Sequence, residues 1–339
     1  MECGLIWCGL VVSFLLHPYN GKHRIGKRHP PTSSNILATE LRLTRPMKNP
    51  VHPSEIERKR GRLVRAITRP PFNDERGEKG WFTHFSRAPP HVMRHLRVEL
   101  DGWPNWTRPM RIAFLSDFHT GSHAHDVERL RSIIDEVGAL KPDLALFGGD
   151  YVNLQLFGGG RVPPQTIATE ISRLPAPLGR FAILGNHDYI YGGHEVMKAL
   201  GNQNIAVLDH EQQSIRFQDW PVDIIGIPDG DVRRPAGYAL LRSLTPARPA
   251  LLLAHDPAWF ADMPPGPFLM LAGHTHGGQI RVPGIGILRN GSRAPLRWSH
   301  GLTREGGKTL YVTSGIGTSA VPLRWGVPPE VVVLDVAGS

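Results

Sequence analysis

Short apolar runs of four to six residues recur along the chain from about residue 95 to residue 334, and runs of this length predict buried strands. The predicted strands are 95–100, 111–116, 144–147, 181–184, 224–227, 250–254, 268–272, 310–313 and 331–334. Between them, residues 127–140 repeat apolar side chains at helical spacing and predict a helix, and residues 164–174 predict a second one. Strands that alternate with helices predict the α/β class, and the strand-rich second half predicts two sheets packed face to face.

Charge divides the chain into two parts. Of its 339 residues, 40% are hydrophobic and 20% charged, which is typical of a globular protein, and the formal net charge is +9. Residues 1–100 carry 18 basic and 8 acidic side chains, whereas the remainder carries 21 and 22. We therefore predict a basic, Pro-rich extension at 1–92 and a folded domain at 93–339. Because that domain is nearly neutral, nucleic acid is disfavoured as its partner.

The extension contains one apolar run, LIWCGLVVSFLL, at residues 5–16. Twelve residues are fewer than the roughly 20 that a membrane-spanning helix needs. Basic residues follow the run, so one interpretation is a peripheral anchor on the anionic cytoplasmic leaflet. The alternative is a disordered or mis-started leader. Cys3 and Cys8 are the two cysteines of the chain, so the folded domain has no disulfide or thiolate metal site.

Five predicted strands run directly into polar clusters, which are SDFHTG, GGD, GNHD, HDP and GHTH. Taken singly, each cluster has a structural explanation, such as a turn at Asp117 or a helix N-cap at Asn186. Taken together, they put eight donor side chains at the carboxyl ends of strands, where ligand sites form in α/β sheets. Oxygen and imidazole donors without sulfur suit divalent first-row metals. The eight are Asp117, His119, Asp150, Asn186, His187, His255, His274 and His276.

This order of clusters resembles that of the calcineurin-like metallophosphoesterases, whose pattern is D-x-H, GD, GNHD, a single H and GHxH. The resemblance covers roughly residues 95–337 and implies a four-layer αββα sandwich of two mixed sheets flanked by helices. The segment from Ser314 to Glu330 is similar to a branch of bacterial membrane-associated phosphodiesterases. That branch includes enzymes like UDP-2,3-diacylglucosamine pyrophosphatase.

The resemblance also implies a centre of two divalent ions, with Mn, Fe and Zn all compatible with the donors. One ion would be held by Asp117, His119, Asp150 and His276. The other would be held by Asp150, Asn186, His255 and His274, so that Asp150 bridges the two. A hydroxide between the ions would attack phosphorus in line. His187 would assist beside the phosphoryl group, Asp188 would orient His187, and Arg324 would contact the phosphate.

The expected activity is therefore that of a binuclear metal-dependent phosphodiesterase or pyrophosphatase. Its expected substrate is a small-molecule or lipid-linked phosphoester such as UDP-2,3-diacylglucosamine, and its expected location is the cytoplasm or the cytoplasmic membrane face. A nuclease or phosphomonoesterase with the same centre remains an alternative. A non-catalytic scaffold is a further alternative, which the retention of every motif residue disfavours. His123 and His125 fall outside the pattern and are interpreted as loop residues that line the entrance at most.

Overall fold

Two six-stranded sheets form the centre of the computed structural model, which describes residues 87–155, 160–229 and 234–339. The strands are β1 (Val92–Leu100), β2 (Met110–Leu115), β3 (Leu144–Phe147), β4 (Arg180–Ala182), β5 (Ala206–Val207), β6 (Gln212–Phe217), β7 (Trp220–Ile227), β8 (Ala250–Ala254), β9 (Phe268–Ala272), β10 (Arg281–Val282), β11 (Gly286–Ile287), β12 (Gly301–Glu305), β13 (Lys308–Val312) and β14 (Glu330–Gly338). The helices are α1 (Asp126–Ala139), α2 (Pro164–Ser172), α3 (Asn186–Gly201) and α4 (Arg234–Ser243).

The first sheet has the order β1-β14-β2-β3-β4-β5, and β2 to β5 run parallel. Strand β14 is antiparallel to β2 and parallel to β1, so the sheet is mixed. Helices α1, α2 and α3 cover one face of this sheet with their apolar sides. Ile133 and Val137 of α1, for example, are completely or almost completely buried in that layer. The helical spacing read from residues 127–140 therefore marks the face that packs on the sheet.

The second sheet has the order β12-β13-β9-β8-β7-β6 and is also mixed, with an antiparallel pair at each edge. Its inner face packs on the first sheet, where Phe114 and Leu146 lie in one hydrophobic core with Leu251 and Leu271. Its outer face is covered by α4 and by the 3-10 helix Pro257–Ala261. The order of layers is helices, sheet, sheet, helices, which confirms the predicted α/β sandwich.

Elements with weak apolar patterns were not predicted. Strand β6 is an exposed edge strand of sequence QQSIRF, and α3 is interrupted at Gly192, whose φ is 149°. The predicted strand 181–184 ends at Ala182, although the Ile183 N–H still donates to the Phe147 carbonyl at 3.0 Å. Strand β1 begins at Val92, whereas the apolar run 5–16 and most of the extension 1–92 lie outside the described residues. None of the helices in the described part of the chain is long and apolar enough to cross a membrane.

Candidate metal centre

The candidate site lies where the carboxyl ends of five strands from both sheets meet. Strands β2, β3 and β4 are parallel neighbours in one sheet, and β8 and β9 are parallel neighbours in the other. Hydrogen bonds join the two sheets at this edge: His255 Nδ1 lies 2.7 Å from the Gly148 carbonyl oxygen, and the His274 N–H donates to Asp117 at 3.0 Å. The packing of the sandwich thus brings together side chains that are up to 159 positions apart in the sequence.

Backbone conformation aims these side chains into the space between the sheets. Residues in the left-handed region are uncommon unless they are glycine, although Asp and His tolerate it better than most. Five predicted ligands adopt it, with φ between 38° and 66°. They are Asp117, His119, Asp150, His274 and His276. Such conformations cost about 1–3 kcal/mol each and persist where the surroundings impose them, commonly at functional sites.

The side chains form two neighbouring groups, which meet between His119 and Asp150. One group of potential ligand atoms consists of Asp117, His119 and His276, and another of Asp150, His255 and His274. Within each group these atoms lie within 4.8 Å of one another. His119 links the groups, because its Nε2 is 3.2 Å from His276 Nε2 and 3.4 Å from Asp150 Oδ2. His255 Nε2 is 3.3 Å from the same carboxylate oxygen.

Asn186 joins the second group, with its Oδ1 3.2 Å from His274 Nδ1. The structure therefore brings together all seven side chains predicted as ligands. Their division between two ions stays a prediction. His187 also forms a group of potential ligand atoms with His119 and Asp150, so its position alone does not separate a ligand from an assisting side chain.

The donors fit a divalent cation. His255 is buried, and its Nδ1 has the Gly148 carbonyl oxygen as its partner, while Nε2 has no hydrogen-bond partner among the described residues. A ring whose Nδ1–H donates to a carbonyl offers the lone pair of its Nε2 to a metal, an arrangement typical of protein metal sites. Asp150 faces this atom with its carboxylate. An unpaired imidazole nitrogen beside a buried carboxylate is what a cation would complete.

Burial and charge set the protonation of the cluster. Burial lowers the pKa of His119 to about 3, and it lowers the pKa of His276 well below its ordinary value, so both rings are neutral and able to bind a cation. His255 differs: burial opposes its charge, but the carboxylates of Asp150 and Asp117 outweigh burial and raise its pKa well above the ordinary value. These carboxylates thus stabilise positive charge at the centre.

His187 lies at the edge of the cluster, next to Ser319, which no sequence pattern predicted. The ring packs edge-on against His119, with centroids 4.6 Å apart. Its main-chain N–H donates to Asp150 Oδ1 at 2.9 Å, and its Nε2 lies 3.4 Å from Ser319 Oγ. Ser319 lies in the loop after β13, directly after the segment GIGT. That position is the one feature of the sequence that sets this serine apart from others.

Asp188 contacts the main chain around Asp150. Its buried carboxylate accepts hydrogen bonds from the main-chain N–H groups of Gly185, Asp150 and Tyr151, at 2.8 to 2.9 Å. Burial, with the charge of Asp150, raises its pKa to about 7. These bonds fasten the loop after β3 to the start of α3. Asp188 therefore braces the main chain that carries Asp150, and its predicted role in orienting His187 stays a prediction.

Arg324 and His123 also occupy positions that the sequence did not indicate. The Arg324 guanidinium donates to main-chain carbonyls, including that of Gly317 at 3.0 Å and that of Ser314 at 2.6 Å. Its Nη2 also lies 3.4 Å from His276 Nδ1. The guanidinium thus holds the loops behind His276, and its role as a phosphate contact stays a prediction. His123 is completely buried, with Nδ1 3.0 Å from Ser122 Oγ, so it does not line an entrance.

Comparisons with known proteins agree with this geometry. The family model described as calcineurin-like phosphoesterase matches residues 110–278, which include every predicted ligand. The chain is 32% identical over 273 residues to phosphodiesterase YaeI of Escherichia coli, covering 76% of this chain and 89% of that one. It is 30% identical to metallophosphoesterase Cj0846 of Campylobacter jejuni, covering 69% of this chain and 61% of the relative.

Among solved structures, a 5′-nucleotidase precursor from Thermus thermophilus aligns with 60% of this chain and 48% of its own length. The sequence identity is 16% and the TM-score is 0.38. Because 48% of that protein is covered, this chain spans about half of its length. The similarity to YaeI extends over most of both chains. The chain therefore belongs to the calcineurin-like phosphoesterases, a family of metal-dependent hydrolases.

Proposed function

We propose that the chain hydrolyses phosphodiesters or pyrophosphates at a centre of two divalent ions. The observation that carries this proposal is the sharing of Asp150, whose Oδ2 lies within 3.4 Å of both His119 Nε2 and His255 Nε2. A carboxylate has two oxygens and can neutralise two cations at once. Asp117, His119 and His276 would hold one ion with Asp150. Asn186, His255 and His274 would hold the other.

When bound, such an ion pair polarises the phosphoryl group and lowers the pKa of water. The protein then supplies position and charge. The His187 main-chain N–H donates to Asp150 Oδ1, so the residue whose side chain would meet substrate also holds the carboxylate that would be shared by the two ions. His187 Nε2 would stabilise charge on the phosphoryl oxygens or protonate the leaving oxygen. Asp188 keeps the main chain of Asp150 in its left-handed conformation.

A phosphodiester is preferred over a phosphomonoester because the relative YaeI is named a phosphodiesterase. The similarity of residues 314–330 to the membrane-associated branch supports a lipid-linked substrate, for which UDP-2,3-diacylglucosamine is the representative to test. We place the enzyme in the cytoplasm or at the cytoplasmic face of the membrane. The near-neutral charge of residues 101–339 is the reason for preferring such a substrate to nucleic acid.

The test compares hydrolysis of bis(p-nitrophenyl) phosphate, UDP-2,3-diacylglucosamine and single-stranded DNA by metal-free protein reconstituted with Mn²⁺, Fe²⁺ or Zn²⁺. We expect Asp150→Asn and His187→Ala to lower kcat/KM by at least 100-fold. His194→Ala is the matched control, because His194 is an exposed histidine on the same helix as His187. Equal activity in all four proteins would refute the mechanism. Faster cleavage of DNA than of both other substrates would favour a nuclease.

A further inference from the structure

A surface of exposed apolar side chains lies beside the candidate metal centre. Ile285, Leu288, Leu323 and Trp325 are 71%, 67%, 57% and 55% exposed. We call these four, together with the exposed Arg281, the rim surface. Single exposed apolar residues are normal on proteins, whereas several that lie together mark an interaction site.

Two chain segments build the rim surface. The first is the hairpin of β10 and β11, where the N–H of Ile285 donates to the Val282 carbonyl at 3.1 Å and places Ile285 in the turn. The second is residues 321–326, which lie along β10: the Arg281 N–H donates to the Trp325 carbonyl at 2.8 Å, and the Trp325 N–H donates to the Gln279 carbonyl at 3.1 Å. These bonds place the two segments side by side.

The same segments reach the candidate metal centre. The Gln279 side chain accepts from the Ser319 N–H at 2.9 Å and donates to the Val321 carbonyl at 3.1 Å. Ser319 in turn touches His187 at 3.4 Å. From the other direction, His274 Nε2 lies 3.4 Å from the Gly291 carbonyl oxygen, just beyond Leu288 in the sequence. Two residues, Gln279 and Ser319, therefore connect Trp325 of the rim surface to His187.

Charge distinguishes the kind of partner. Residues 279–326 contain one acidic side chain, and the exposed basic side chains in and just after the hairpin are Arg281, Arg289 and Arg293, whereas residues 101–278 contain 14 basic and 19 acidic side chains. The one acidic residue, Glu305, is paired with Arg297 at 3.0 Å. Aliphatic tips among arginines match an anionic lipid bilayer, in which apolar side chains enter the acyl boundary and cations remain at the headgroups. Single-stranded nucleic acid would need stacking rings, but three of the four tips are aliphatic.

We propose that the rim surface docks on an anionic lipid bilayer and turns the metal centre toward phosphoesters carried by that bilayer. The docking itself follows from exposure, position and charge. The statement about substrate rests on the proposed function. Docking through these loops is independent of any contact made by residues 1–92, since the rim surface belongs to the folded domain.

The test uses the full chain with an environment-sensitive fluorophore on Leu288→Cys, in a background of Cys3→Ser and Cys8→Ser. The matched control carries the fluorophore on Lys198→Cys, an exposed position on α3. We expect vesicles of phosphatidylcholine and phosphatidylglycerol in equal amounts to shift the emission at position 288 to shorter wavelength. Vesicles of phosphatidylcholine alone should have a smaller effect, and position 198 should not respond.

Arg281→Glu should raise the vesicle concentration for half-maximal shift about 30-fold, because each basic side chain at an anionic leaflet contributes about a fivefold factor. An unchanged spectrum at position 288 would overturn the proposal. So would a shift that appears without lipid as protein concentration rises, which indicates a second copy, or one produced equally by single-stranded DNA. Hydrolysis of soluble bis(p-nitrophenyl) phosphate should be unchanged in Ile285→Ser. A silent fluorophore with intact hydrolysis would refute docking alone, whereas a responsive fluorophore without Asp150-dependent hydrolysis would refute the proposed function alone.

Discussion

Gly185 offers a test of the cluster that replaces none of the donor residues. A Cβ at this position would lie 2.2 Å from Asp150 Oδ1 and 2.6 Å from His255 Cε1, whereas ordinary contact begins at 3.4 Å. Its φ is −95°, so alanine introduces no backbone strain and acts through these two contacts. To accept the methyl group, the Asp150 carboxylate must move by about 1.2 Å. A displacement of about 1 Å in an active site can cost about 100-fold in rate.

We therefore expect Gly185→Ala to lower kcat/KM on bis(p-nitrophenyl) phosphate by about 100-fold and to raise the metal concentration needed for activity. The matched control is Gly201→Ala, the same change at the other end of α3, where a Cβ meets no atom within 4 Å. That variant should keep its activity and gain up to about 1 kcal/mol in free energy of unfolding. The assays are steady-state hydrolysis, metal content of the purified proteins and urea unfolding. Activity of Gly185→Ala within threefold of wild type, with full metal content, would refute the proposed role of Asp150.

Three further perturbations follow from the same contacts. Ser319→Ala should lower kcat severalfold at unchanged KM and metal content, because His187 loses the hydroxyl at its Nε2; an unchanged kcat would contradict this role. Chelation should lower the melting temperature, and ions at 100 times their Kd should restore about 2.7 kcal/mol, a gain that calorimetry should not find in Asp150→Asn. Partial burial disfavours the Asp335 carboxylate, but hydrogen bonds from Arg111 and His95 outweigh it and lower the pKa of Asp335. This stabilisation is present above the unfolded pKa and lost as pH falls through the lowered value, so Asp335→Asn should cost about 1 kcal/mol in urea unfolding at pH 7 and almost nothing near pH 2.

The apolar runs predicted most of the two sheets because buried strands have little tolerance for polar residues. Strands β3, β8 and β9 have the predicted bounds, and each is completely buried. Edge strands were not predicted because half of their surface faces solvent. Interrupted helices were not predicted because their apolar spacing is broken, as at Gly192 in α3. The predicted N-cap at Asn186 was wrong by one residue: Gly185 is the N-cap, and Asn186 is the first residue of α3, with its Oδ1 3.2 Å from His274 Nδ1. Its role as a ligand stays a prediction.

The candidate ligands could be predicted because each directly follows a strand, and the sandwich brings those strand ends together. Contacts made by loops could not. Ser319 reaches His187 through a loop that Gln279 fastens, and neither residue has a pattern that predicts the pair. Arg324 is predicted to contact the phosphate, but its hydrogen bonds to main-chain carbonyls could not be predicted, because they depend on which carbonyls the loops leave unpaired. Hydrogen-bond partners of this kind depend on tertiary structure and leave no local signal.

The strained ligand loops connect function to stability. An Asp or His in the left-handed region, as at Asp117 or His274, has a conformational cost that glycine would avoid, but glycine has no donor atom. Hydrogen bonds to the main chain offset this cost. They include the bonds from three N–H groups to the Asp188 carboxylate and the bonds from the Arg324 guanidinium to carbonyls, and we call Asp188 and Arg324 braces for this reason. Bound cations would supply the rest of the stabilisation, since they also offset the repulsion among buried carboxylates. Replacing a ligand should therefore cost the metal-free protein little stability, while replacing a brace should cost it more.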